Sequence, residues 1–242
     1  MTRRVAIVQS NYIPWKGYFD LIAAVDEFIL FDEVQYTRRD WRNRNRIKTQ
    51  RGPQWLTIPV MVKGRYLAPI REIAVSDPEW TEKHWRTLTA AYAHARHFRE
   101  MAPRIEELYR TCTHKWLSDI NRHFLAAICD VLDIGTPLRW SWEYAKSEEI
   151  ASPDERDLAR SSRLAEICAQ AGATVYVSGP AASAYLQKKP FADRGIEVEY
   201  FDYSGYSQYE QMHPPFDHHV SIVDLLFNTG RDARRFLLRT GT

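Results

Sequence analysis

Cysteine is scarce in this 242-residue chain, and the three present, Cys112, Cys129 and Cys168, are odd in number and far apart. That spacing argues against a disulfide framework and a zinc site, and predicts reduced thiols acting as small buried hydrophobes. Long apolar runs are also missing. None approaches the roughly 18 residues of a membrane span, and the stretch after Arg3-Arg4 is too short for a signal-peptide core, so a cytoplasmic protein without a membrane span is expected. Charge of one sign is lacking too: 33 Lys and Arg face 31 Asp and Glu, a formal net charge of +2. A near-neutral chain with no reader motif argues against nucleic acid as the main partner. No repeat, low-complexity tract or Gly/Ser linker divides the sequence.

The composition, 45% hydrophobic and 26% charged, suits a single α/β domain over residues 1–242. Two apolar runs, Val5 to Val8 and Phe28 to Phe31, read as strands and are followed by polar residues, as where an open sheet builds its site. Further strands are expected at Trp55 to Val60, Ile70 to Val75, Pro137 to Ser141, Thr174 to Val177 and Glu197 to Phe201. Three-to-four apolar spacing over residues 80–133 predicts a helical insertion or subdomain, capped near Asp77 and stopped by Gly135. Ser147 to Asp157 reads as a polar loop. Another helix ends near Gly172, and a last one runs from Val220 to Phe227. The alternation implies a layered α/β fold, a mainly parallel sheet with flanking helices.

Residues 37–51 carry seven cations against one carboxylate, about +6, leaving the rest of the chain near −4. In an extended segment Arg42, Arg44 and Arg46 share one face, and Asn43 and Asn45 the other. Paired guanidinium donors suit a phosphate or carboxylate, so an anionic small molecule is the expected ligand. Gln9, Asn11, Tyr12 and Lys16 sit at a turn punctuated by Pro14 and Gly17 before a helix, a second expected anion contact. Ser178-Gly179, after a strand, is a third. Gln35 joins the binding set.

For proton transfer the expected groups are Asp32, which ends an apolar strand, and His213, with Asp224 nearby in sequence. Asp224 is expected in the binding set, buried or half-buried and bonded to an arginine or the N-terminal turn, so that Asp224→Asn impairs ligand binding or turnover without unfolding the protein. Ser221, Asp224 and Asn228 share one face of the last helix. His94 and His97, three apart on an expected helix, make at most half a metal site, so no metal is expected. No cofactor is indicated.

Four stretches, Gln9 to Asp20, Asp32 to Tyr36, Trp41 to Ile47 and Phe216 to Asn228, together resemble the WbqC-like proteins. The resemblance implies a role in O-antigen, other surface-polysaccharide or specialised-metabolite biosynthesis, and supplies no catalytic motif. A small-molecule transferase is then expected, moving an acyl or aminoacyl group to an amino group of a nucleotide-linked sugar (an aminosugar) or related amine, with a carrier protein as a candidate partner. The alternatives are nucleotidyl or glycosyl transfer and non-catalytic anion binding. The turn at Pro14 and Gly17 weakly resembles that of nucleotidylyltransferases, although Tyr18 stands where they have histidine.

Overall fold

The structure, a computed structural model, describes residues 1–146 and 156–238. Residues 147–155 of the expected polar loop lie outside the described residues. In chain order the strands are β1 Arg4–Val8, β2 Glu27–Leu30, β3 Arg44–Thr49, β4 Gly52–Thr57, β5 Leu138–Trp140, β6 Val175–Ser178 and β7 Glu197–Tyr200. The helices are α1 Lys16–Ala23, α2 Trp80–Tyr92, α3 Phe98–Thr111, α4 Leu117–Val131, α5 Arg156–Gln170, α6 Lys189–Ala192 and α7 Ile222–Thr229. They form two compact units, residues 1–9, 21–33 and 136–204, and residues 10–20, 34–135 and 205–242.

The first unit holds a five-stranded sheet in the order β5-β2-β1-β6-β7, and each adjacent pair is parallel. The layered α/β expectation therefore holds. Parallel strands covered on both faces read as continuous apolar runs, and Val5-Ala6-Ile7 and Phe28-Ile29-Leu30 are buried throughout. Tyr176, Phe191, Ala165 and Cys168 complete this core. Helix α5 closes on Gly172 at φ 69°, where the Ala173 amide reaches the Cys168 carbonyl at 2.9 Å and the Gly172 amide the Ala169 carbonyl at 3.0 Å. That is the left-handed cap expected from the glycine.

In the second unit β3 and β4 form an antiparallel hairpin with Arg46 opposite Trp55. The strand expected at Trp55 to Val60 thus starts earlier and ends at Thr57. Ile70 to Val75 is no strand: a 3-10 turn occupies Ile70–Glu72, and the segment keeps only isolated bridges. The helical block resolves into α2, α3 and α4. An Asp77 carboxylate oxygen accepts the Glu79 amide at 2.9 Å in the turn before α2, but the helix's own cap is Glu79, which makes no side-chain cap bond. Asp133 rather than Gly135 ends α4, taking φ 53° while the Ile134 amide bonds the Cys129 carbonyl at 2.9 Å. Aspartate tolerates the left-handed region well enough to stand in for glycine here. All three cysteines are buried free thiols, and burial pushes Cys112 up to about 11 and Cys129 to about 12. Among the described residues no helix is long and apolar enough to cross a membrane.

Candidate functional site

The turn after Gln9 is held in an unusual shape. Ile13 has φ 36°, a sterically costly value for a β-branched residue. Its carbonyl accepts two buried donors, the Asn45 side-chain amide at 3.0 Å and the Ser221 hydroxyl at 2.7 Å. Asn45 also bonds the Tyr12 carbonyl at 3.1 Å, and the Ile222 amide bonds the Pro14 carbonyl at 2.9 Å. The inward asparagine of β3 and the start of α7 therefore fix one turn between them. A Cβ at Gly17 would lie 2.3 Å from Cζ2 of the Trp15 indole, so any larger residue there displaces that ring.

This turn walls a cavity of about 240 Å³ lined by Asn11, Pro14, Trp15, Trp41, Asn45 and His219. The His219 imidazole stacks on Trp15 with centroids 5.6 Å apart. The three expected arginines reach this lining by different routes. Arg42 donates to the Asn11 side-chain oxygen, and Arg46 donates to the His219 carbonyl at 2.9 Å. Arg44 lies over Trp55, its guanidinium carbon 4.1 Å from the ring centroid, and Trp55 packs on Trp41. Arg42 has Asp40 at 3.6 Å and Arg46 has Asp217 at 3.8 Å, whereas Arg44 donates to the Arg39 carbonyl and, among the described residues, has no carboxylate at ion-pair distance. Burial works against the Asp40 charge, but the Thr37 hydroxyl and the Arg42 charge outweigh it and lower its pKa.

The alternation expected for the basic segment is present: Asn43 and Asn45 are buried while Arg44 and Arg46 are half-exposed. The asparagines are scaffold as well as lining, since Asn43 accepts the Tyr36 hydroxyl at 2.9 Å and donates to the Ile58 carbonyl at 2.8 Å. Tyr12 is fully buried, its hydroxyl bonded to His84 Nδ1 at 2.9 Å and the Tyr109 hydroxyl at 2.5 Å, so it faces the helical core. Lys16 is buried too, donating to the Ser207 carbonyl at 3.1 Å over the Tyr206 ring. Burial lowers its pKa to about 8 against the Asp20 charge. Gln35 donates to the Tyr66 carbonyl at 2.7 Å on the surface.

Asp224 is buried as expected, but its carboxylate accepts the hydroxyls of Tyr92 at 2.9 Å and Tyr209 at 2.7 Å and the Gln211 amide at 2.9 Å, not an arginine. Ser221, one turn earlier, makes the bond to the N-terminal turn. His213 is half-buried and is not among the cavity residues. His94 and His97 lie between α2 and α3 rather than on a helix, and His97 pairs with Glu100 at 2.8 Å. Among the described residues no three His, Cys, Asp or Glu side chains converge as metal ligands.

Four expected residues belong to the first unit. Gln9 follows β1, Asp32 lies fully buried after β2, and Ser178-Gly179 ends β6. Strand order reverses between β1 and β6, so Gln9 and Ser178-Gly179 stand at the carboxyl edge of that switch. Gly179 is followed by a five-residue 3-10 turn, Pro180–Ala184, rather than by an α-helix, and has φ −70°. Glu33 pairs with Arg163 at 3.4 Å.

Trp15, Trp41, Trp55 and His219 were not expected at the site. The available signal was aromatics set inside polar turn sequence, Pro14-Trp15-Lys16 and Asp40-Trp41-Arg42, where a core residue is out of place.

Residues 9–236 match the WbqC-like protein family. The chain belongs to that family. The match takes in both the N-terminal turn and α7, the two ends that meet at Ile13. Over 235 residues the chain is 50% identical to "Uncharacterized protein Rv1507c" of Mycobacterium tuberculosis (strain ATCC 25618 / H37Rv), covering 97% of each chain. No solved structure matches.

Proposed function

We propose that this WbqC-like protein binds an anionic small molecule, a nucleotide-linked sugar or close relative, at the cavity of its second unit and transfers an acyl or aminoacyl group to its amino group. Arg44 carries the reading: its guanidinium has no carboxylate at ion-pair distance among the described residues, and it lies over Trp55, which packs on the cavity residue Trp41. Aromatic walls take a sugar or base face, and a planar guanidinium takes phosphate or carboxylate oxygens. His219 is the titratable side chain among the lining residues, and in this reading it replaces His213 as base. The substrate amine attacks the donor carbonyl carbon, the new C–N bond forms as the bond to the leaving group breaks, and His219 takes the amine proton. Surface-glycan or specialised-metabolite biosynthesis is the setting proposed, with a carrier protein as one possible source of the acyl group.

The test is calorimetric titration with a panel of nucleotide-linked aminosugars, then acyl transfer from thioester and acyl-phosphate donors. Arg44→Gln should weaken binding about tenfold, and His219→Asn should abolish transfer while binding persists. A second reading, non-catalytic binding, is favoured by the absence of Asp32 and His213 from the lining residues. Tight binding with no transfer from any donor would select it.

A further inference from the structure

We propose that the outer face of the β3-β4 hairpin is a second ring subsite, where Trp55 and Trp41 stack a nucleobase and Arg44 and Arg46 hold the diphosphate of a nucleoside diphosphate. It rests on reading the cavity as the sugar-binding site. Size supplies the first reason. A cavity of about 240 Å³ falls below the roughly 300 Å³ at the lower end of pockets for drug-sized ligands, too small to enclose a whole nucleotide-linked sugar, so part of such a ligand lies outside it.

What adjoins the cavity decides what that remainder is. Trp41 belongs to the lining and lies 5.3 Å from Trp55 between ring centroids, so the aromatic wall continues onto the hairpin. Trp41 is 40% exposed and Trp55 42%, although large aromatic side chains usually bury most of their surface. Cations stand beside these rings, Arg44 at 4.1 Å and Arg46 at 6.0 Å from the Trp55 centroid. The Nε atoms of Arg44 and Arg46 are buried with no hydrogen-bond partner among the described residues. Stacking tolerates any base because every base has a π-face, and paired guanidinium donors match phosphate oxygens. One ring pocket, its Trp41 wall running on to Trp55, Arg46 bonded to the lining residue His219 and Arg44 over Trp55 together offer the contacts that sugar, base and diphosphate need. A single-stranded nucleic acid would use the same chemistry, but the chain's net charge is only +2 and its cation excess is concentrated in residues 37–51.

The experiment is titration of the full chain with uridine diphosphate, adenosine diphosphate and inorganic pyrophosphate, read by calorimetry and tryptophan fluorescence. Both nucleotides should bind at least about tenfold tighter than pyrophosphate. Trp55→Leu should bring the nucleotides down to the pyrophosphate level while pyrophosphate binding stays within about twofold, and Trp55→Phe should restore most of the difference. Arg44→Gln should weaken all three ligands. Equal binding of nucleotides and pyrophosphate to the wild-type protein, or equal weakening of both by Trp55→Leu, overturns the stacking subsite and leaves the anion reading standing. Failure of all three ligands to bind overturns both. A short mixed-sequence oligonucleotide that outcompetes uridine diphosphate overturns the proposal in favour of nucleic acid.

Discussion

The Ser221 hydroxyl donates to the Ile13 carbonyl oxygen at 2.7 Å, joining residues 208 positions apart. Ser221 also caps α7, its oxygen accepting the Val223 amide. One side chain therefore both starts the last helix and holds the strained turn of the first. Ser221→Ala should cost about 1–3 kcal/mol, the sum of a lost cap and a buried acceptor with one donor fewer. Because Asn45 donates to the same carbonyl, the pair Ser221→Ala and Asn45→Ala should be non-additive. Urea unfolding of the two single variants and the double variant measures this, and simple additivity would show that the Ile13 carbonyl is not their shared anchor.

Gly17→Ala tests the cavity wall without touching its polar groups. The added methyl would overlap the Trp15 indole, which must swing away from its stack with His219. Stability should change by less than about 1 kcal/mol, since the displaced ring is half-exposed, while ligand affinity falls about tenfold or more. Tryptophan emission and calorimetry read the two effects separately.

How far the sequence reached follows from what each signal encodes. The strands of the first unit were legible because burial on both faces leaves unbroken apolar runs such as Phe28-Ile29-Leu30. The arginine-asparagine alternation in β3 was legible because side-chain direction has period two. Segment 70–75 was misread because Ile70, Ile73 and Ala74 are buried by tertiary packing while the backbone bonds a 3-10 turn, and apolar content alone does not separate the two. His219 was passed over for His213 because the stack on Trp15 joins residues 204 positions apart, beyond any local pattern. Nor could sequence show that Tyr12 turns inward to His84, whereas Asn11 lines the cavity.

Asp224 gives a prediction that the structure changes. The sequence suggested a ligand-orienting carboxylate whose loss would spare the fold. Burial raises its pKa against the hydroxyls of Tyr209 and Tyr92 and the Lys48 charge. Lys48, itself buried, bonds Gln211 at 2.8 Å and the Pro215 carbonyl. Asn at 224 offers one acceptor oxygen where the carboxylate takes three donors, and it removes the charge facing Lys48. The lost acceptors outweigh the relief of a charge that burial disfavours, so Asp224→Asn should lower stability by about 1–2 kcal/mol. Urea unfolding checks it, and a change under about 0.5 kcal/mol would mean that the network relaxes around the amide.

His84 sets the acid limit of the second unit. Its Nε2–H faces the Thr57 carbonyl at 3.2 Å and its Nδ1 accepts the Tyr12 hydroxyl at 2.9 Å, among Trp80, Tyr109 and Phe124. Burial is the larger influence and lowers the pKa to about 4, while the Thr57 carbonyl opposes it. In the unfolded chain the imidazole returns to its ordinary value of 6.5. Between these values the unfolded chain holds a proton that the folded protein refuses, so stability falls as pH drops from about 6.5 toward about 4, by about 3 kcal/mol in all. Asp224 works in the opposite direction: its raised pKa lets the folded protein take up a proton first, adding stability on acidification. His84→Gln isolates the histidine, because glutamine lacks the titration and every other group remains. Urea unfolding at about pH 7 and about pH 4.5 should show the wild-type protein losing about 2–3 kcal/mol more than the variant. Equal losses in the two proteins would place the acid sensitivity elsewhere and show that His84 is protonated without breaking its bond to Tyr12.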